Sequence, residues 1–167
     1  MKYLLILLLF IGLWFATVPV ESAEAEDEPH VAYVKHFLRL YEPRLKQALT
    51  VMPLVEIHSG VYGFDPIVPT VIISCESAWK PGASGTVGEL GLMQVHGRCA
   101  KGYDLSEPDG QIEAGIACLA MSRDLCDGSL TQTITKYMSG SCKARTKHTK
   151  KVVARRVRII NKWRGRH

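Results

Sequence analysis

Glu76 closes an apolar run, Val71-Ile72-Ile73, and is followed at once by Ser77. A glycine- and serine-rich stretch comes next, with Gly82, Gly85, Gly88 and Gly91, and then a second apolar segment opens as Leu92-Met93-Gln94. A carboxyl group at the end of a buried helix, facing a groove built on glycine backbone, is suited to protonating the oxygen of a glycosidic bond. Burial disfavours the charged form of an acid, so such a setting favours the protonated form that a donor needs. Most glycosidases use two carboxylates that flank the bond. Here one acid is obvious. Glu89, Asp104, Glu107, Asp109 and Glu113 are available as a second, but none lies in a comparably marked motif.

The elements that must position Glu76 are helical. Asp65-Pro66 reads as a helix start, with a capping side chain and proline in the first turn, and the helix continues toward Ser77. It is apolar on nearly all sides, which predicts burial. Upstream, apolar residues at 31, 34, 37 and 38 have helical spacing. Leu45, Ala48, Leu49 and Met52 continue it after Pro43, and Pro53 interrupts it again, giving two helical pieces or one kinked helix. Residues 97–107 read as loop and 111–121 as a helix carrying Ile112, Ile116, Leu119 and Ala120. Residues 130–138 form a short helix with Ile134, Tyr137 and Met138. The last helix, 152–163, turns Val153, Val157 and Ile160 inward and Arg155, Arg156, Arg158 and Lys162 outward. No segment alternates as a strand, so the fold class is mainly α with little or no sheet.

The 167 residues suggest one domain behind a targeting segment. Lys2 precedes seventeen uncharged, mostly apolar residues, 4–20, and Ala23-Glu24-Ala25 follows. This order reads as a secretory signal peptide over residues 1–25, or as an N-terminal membrane anchor. Either way residues 26–167 are exported, to the periplasm or the extracellular space. The net charge is +5, but residues 143–167 hold eleven Lys or Arg and no Asp or Glu. Such a basic segment favours an anionic partner, either a cell-wall polymer or a membrane surface. Nucleic acid is the weaker partner, because no binding signature accompanies the charge.

Five cysteines, at 75, 99, 118, 126 and 142, leave one over in an exported chain where disulfides are expected. Cys75 is expected to be the free one, packed on the buried helix as a small hydrophobe. The spacings contain no zinc pattern, and no metal or cofactor is expected.

Glu76-Ser77, Trp79, Pro81, Ala83, the loop serine and the run Gly88-x-x-Gly91-Leu92-Met93-Gln94 together resemble lytic transglycosylases of the soluble lytic transglycosylase (SLT) type. Asp65-Pro66 stands where those proteins carry an aspartate-proline, and Gln111-Ile112-x-x-Gly115-Ile116 resembles their helix behind the groove. Their Tyr-Asn-Gly-like motif is matched by Tyr137-Met138-Ser139-Gly140, with Met for Asn. The resemblance covers roughly residues 45–163 and implies a lysozyme-like catalytic domain over 26–167. It also implies cleavage of the β-1,4 bond between N-acetylmuramic acid and N-acetylglucosamine in peptidoglycan. Glu76 would act as the general acid and base and leave a 1,6-anhydromuramoyl product. Ser77, Gly91, Leu92, Met93, Gln94 and Tyr137 would bind substrate, with Tyr137 holding Glu76 or the acetamido group by its hydroxyl. The competing functions are a goose-type muramidase that hydrolyses the bond and a catalytically silent wall-binding subunit.

Each residue also has a plainer reading. Ser77 is a helix-end hydrogen-bonder, Met93 and Tyr137 are core, His96 is surface or structural, and Glu89 is solvated. Trp79 either lines the groove or seals the helix end.

Overall fold

The computed structural model describes residues 28–38 and 42–164. The leader expected over residues 1–25 lies outside them. Among the described residues the chain forms α1 (Pro29–Leu38), α2 (Glu42–Tyr62), α3 (Ile67–Glu76), α4 (Pro108–Asp124), α5 (Leu130–Ser139) and α6 (Lys147–Arg164). A single 3₁₀ turn, Gly97–Ala100, sits in the segment expected to be loop. No strand forms among the described residues. Pairing is limited to isolated antiparallel bridges between Ser84 and Leu90 and between Leu90 and Val95.

The hydrophobic helix predicted to lead into Glu76 is the centre of the packing. α1, α2 and α6 all pack on α3, while α4 joins α2 to α5, and α5 closes onto α6. Ile67, Val68, Val71, Ile72 and Ile73 of α3 are fully buried, among Val34, Val55 and Ile160 from its neighbours. Each such side chain contributes about 1.5–3 kcal/mol through removal from water. α3 therefore cannot shift without disturbing three other helices.

α3 carries two hydroxyl side chains into this apolar setting and its C-cap a third, and each is satisfied locally. Thr70 donates to the Pro66 carbonyl at 2.7 Å, Ser74 to Thr70 at 2.9 Å and Ser77 to Ile73 at 3.2 Å. Such i−4 bonds let a buried helix hold small polar groups without leaving donors unpaired. At the N-terminal end, Asp65 accepts the Ile67 N–H at 3.0 Å, the capping role its place before Pro66 implies.

The fold departs from the sequence expectations at three points. α2 runs unbroken through Pro53, which lies on the exposed side, where solvent can take the carbonyl freed by proline's missing N–H. Cys75 is the free cysteine, but it is exposed, not packed as a small hydrophobe, because only positions up to Ser74 lie within the ring of helices. Arg156, expected to face solvent, is buried. The disulfides are Cys99–Cys118 and Cys126–Cys142, with Cα–Cα distances of 5.4 and 5.5 Å.

Candidate active site

The chain turns abruptly after Glu76. Ala78 and Trp79 take φ of +49° and +65°, two successive non-glycine residues in the left-handed region. Such residues persist only where surrounding contacts over-determine them. Here the Ser77 hydroxyl accepts the Trp79 N–H at 3.1 Å, and Ser74 accepts the Trp79 indole N–H at 2.9 Å. Arg44 of α2 donates to the Ala78 carbonyl at 2.5 Å. Trp79 is fully buried and seals the helix end. The result fixes the last turn of α3, and with it the base of the Glu76 side chain.

The glycine-rich stretch folds into a small knot of backbone hydrogen bonds. Leu90 and Val95 exchange both N–H···O bonds at 2.9 and 3.0 Å, Gly85 donates to Glu89 at 2.8 Å and Gly91 donates to Ala83 at 2.8 Å. Gln94 ties the knot further, its side-chain amide donating to Ala83 at 3.1 Å and to Gly91 at 2.9 Å. Gln111 of α4 then anchors it to the helical body. Its amide oxygen accepts the Leu92 N–H at 2.9 Å, and its amide nitrogen donates to Pro81 at 3.1 Å and Leu105 at 2.9 Å. Two glycines permit this close approach. A Cβ on Gly91, which has φ of +74°, would overlap the Gln111 side chain, and one on Gly115 would overlap buried Met93.

The end of α3, the knot, the 3₁₀ turn, α4 and α5 enclose a cleft of about 890 Å³. Glu76, Glu89, Gln94, His96, Tyr137 and Met138 are among the residues on its walls. Of the expected site residues, the structure therefore brings Glu76, Gln94 and Tyr137 together at the cleft. The Ser77, Leu92 and Met93 side chains are buried away from it, and Gly91 serves the backbone knot. Tyr137 does not offer its hydroxyl to Glu76. That group donates to the Met93 carbonyl at 2.6 Å. Burial pushes the phenol far above its ordinary range, the nearby Glu76 adds to this, and Arg156 opposes it. Tyr137 thus links α5 to the knot as a neutral phenol. Glu89 is the second carboxyl on the cleft wall. Backbone N–H groups of Glu89 itself and of Val87 lower its pKa, with the Val87 N–H at 3.0 Å.

Glu76 itself has a partner that the sequence reading turned the wrong way. Arg156 of α6 donates from Nη1 to Oε1 of Glu76 at 2.6 Å. The Glu76 side chain is 22% exposed, whereas that of Arg156 is 8% exposed. The dry setting expected around the acid thus contains a cation in direct contact with it. The pairing has two local causes. A carboxylate at a helix C-terminus faces the negative end of the helix dipole, which a nearby cation offsets. A buried guanidinium in turn needs a counter-charge. A second contact between the same two helices, Arg164 to Asp65 at 2.6 Å, lies at the opposite end of α3. α6 therefore runs antiparallel to α3 and grips both ends.

Gln111 and Arg156 are the positions around the cleft whose contacts sequence reasoning under-read. Gln111 carried a family resemblance but no assigned role, and nothing in its local sequence announces three long-range bonds. Arg156 did carry a signal: it lies three residues after Val153 and four before Ile160, on the inward stripe.

The chain matches the transglycosylase SLT domain family over residues 54–157. It is also similar to proteins named membrane-bound lytic murein transglycosylase C from Actinobacillus pleuropneumoniae serotype 5b (strain L20), serotype 3 (strain JL03) and serotype 7 (strain AP76). Each is 33% identical over 111 residues, which covers 58% of this chain and 30% of the relative. The chain thus matches less than a third of the length of these curated relatives. The matched segment holds α3 and Glu76, the glycine knot, Gln111, Tyr137 and Arg156. The chain belongs to the transglycosylase SLT domain family.

Proposed function

We propose that the protein is a peptidoglycan lytic transglycosylase and that Glu76 is its general acid and base. The observation that carries this is one carboxyl group at the rigid end of α3, on the wall of a cleft large enough for a sugar polymer. Family membership and the names of the relatives support the substrate class.

Protonated Glu76 donates to the oxygen between N-acetylmuramic acid and N-acetylglucosamine as the bond from that oxygen to C1 breaks. The substrate's N-acetyl group stabilises the positive charge that develops at C1. The muramoyl C6 hydroxyl oxygen bonds to C1, and its proton returns to Glu76. No water is consumed, and the product carries a 1,6-anhydro ring. Gln94 and the backbone of the knot line the path of the glycan, with Met138 where relatives of this type carry Asn.

Glu89 favours a second reading, since it lines the same cleft and is held as a carboxylate. In that case it would position water for hydrolysis, as in a goose-type muramidase. Export through residues 1–25, as cleaved signal or as anchor, and a catalytic unit over 26–167 belong to the same proposal. No helix among the described residues is long and apolar enough to cross a membrane. The exposed Arg155, Arg158 and Lys162 of α6 would attract the anionic wall or a membrane surface. Glu76→Gln tests the assignment. Wall degradation should fall by about 10²–10⁴-fold or more, and a folded variant that keeps wild-type turnover would exclude Glu76 as the acid.

A further inference from the structure

Arg156 is buried, yet it does not line the cleft that Glu76 faces. Its Nη1 engages Glu76, while its buried Nε has no hydrogen-bond acceptor among the described residues. A guanidinium placed in a core at that cost is poorly explained by packing alone, because a well-packed apolar side chain is often at least as stable there. We propose that Arg156 is a positioning residue for proton transfer: from behind, it fixes Glu76 against the cleft wall and stabilises the carboxylate that exists between donation and recovery of the proton. This rests on the reading of Glu76 as the proton donor.

The chemistry follows from the single-carboxyl cycle. When Glu76 gives its proton to the leaving oxygen, a negative charge appears at the C-terminus of α3, where the helix dipole disfavours it. Arg156 lies 2.6 Å from Oε1 and meets that charge without reorganisation. Other ionisable groups surround Glu76. Cys75 and Arg155 lie near on α3 and α6, and Tyr137 and Lys136 of α5 line the cleft with Glu89, His96 and Arg98. Tyr137 stays neutral, and Lys136 is tied to the Gly140 carbonyl at 2.9 Å. Arg156 is the cation hydrogen-bonded to the acid.

The test reads the Glu76 carboxyl carbon and the Arg156 guanidinium by NMR in the wild type, Arg156→Met, Arg156→Lys and Glu76→Gln, alongside kcat and KM on isolated wall. Methionine keeps an apolar stem of similar reach and removes the charge. Its Glu76 carboxyl signal should move from the wild-type position, and kcat should fall by about 10²-fold with KM little changed. Lysine keeps the charge without the planar fork, so its kcat should lie between the other two. In Glu76→Gln the Arg156 guanidinium resonances should shift, which decides the matter if Arg156→Met does not fold by circular dichroism. A folded Arg156→Met with wild-type kcat, or Arg156 resonances indifferent to Glu76→Gln, would overturn the proposal. The NMR arm needs no turnover: a wild-type chain that leaves the wall intact would sink the catalytic reading of Glu76, while the resonances would still judge the Arg156–Glu76 contact.

Discussion

Gln111→Leu removes the side chain that hydrogen-bonds the glycine knot to α4, and its cost can be worked from the three bonds lost. Leucine is close in size, so the change is mainly polar. The Leu92 N–H, on a fully buried residue, loses its acceptor, a penalty of about 1–3 kcal/mol. The Pro81 and Leu105 carbonyls belong to half-buried residues, and water can partly replace the amide, so together they add about 1–2 kcal/mol. The sum, about 2–5 kcal/mol, corresponds to a fall in Tm of roughly 10 °C for a domain of this size. Function should suffer beyond stability. The knot carries Gln94 and the cleft wall opposite Glu76, and a misplacement of about 1 Å at a reacting centre can cost 10²-fold in rate. Denaturant unfolding and turnover on isolated wall, measured well below Tm, would give both numbers. A folded Gln111→Leu protein within 0.5 kcal/mol of the wild type (about the noise of a neutral surface change), with full activity, would refute the idea that this side chain anchors the site.

Three further outcomes follow from the same structure. Replacing Cys99 and Cys118 together by serine should lower stability by about 3 kcal/mol, since the bridge spans 19 residues and ties the 3₁₀ turn to α4. Cys75→Ser should change it by less than about 0.5 kcal/mol, and denaturant midpoints distinguish the two. Gly115→Ala should destabilise by about 1–3 kcal/mol through overpacking against Met93, despite alanine's better helix propensity; a neutral result by calorimetry would mean that Met93 yields freely. Glu89 has a lowered pKa, so its hold on the Val87 N–H is present above the unfolded value and is lost as pH falls through the folded one. The Val87 amide resonance should therefore move only below the ordinary glutamate range and stay still in Glu89→Gln; movement near neutrality would contradict the assignment.

Much of the fold was legible because α3 states its environment in its composition: an all-apolar run flanked by Asp65-Pro66 and Ser77 has few alternatives to a central buried helix. Glu76 was legible for the same reason, as the acid terminating that run. The distribution of polar roles within the block was not. Ser77, Leu92 and Met93 were expected to bind substrate, the last two through their backbone; their side chains turn into the core, which leaves backbone groups of the knot and Gln94 to face the cleft. Tyr137 reaches the cleft but spends its hydroxyl on Met93. Arg156 was misjudged because charge was allowed to override register: its spacing from Val153 and Ile160 placed it inward, while its type suggested water. Its counter-charge lies 80 residues away, and local sequence carries no record of that pairing.

The most direct measurement is digestion of isolated peptidoglycan by the wild-type chain in H₂¹⁸O, followed by mass spectrometry of the released muropeptides. Proton donation and recovery by Glu76, with ring closure by the C6 hydroxyl, gives 1,6-anhydromuramoyl ends free of ¹⁸O and no such product from Glu76→Gln. Reducing muramoyl ends carrying ¹⁸O, or an intact wall, would contradict it.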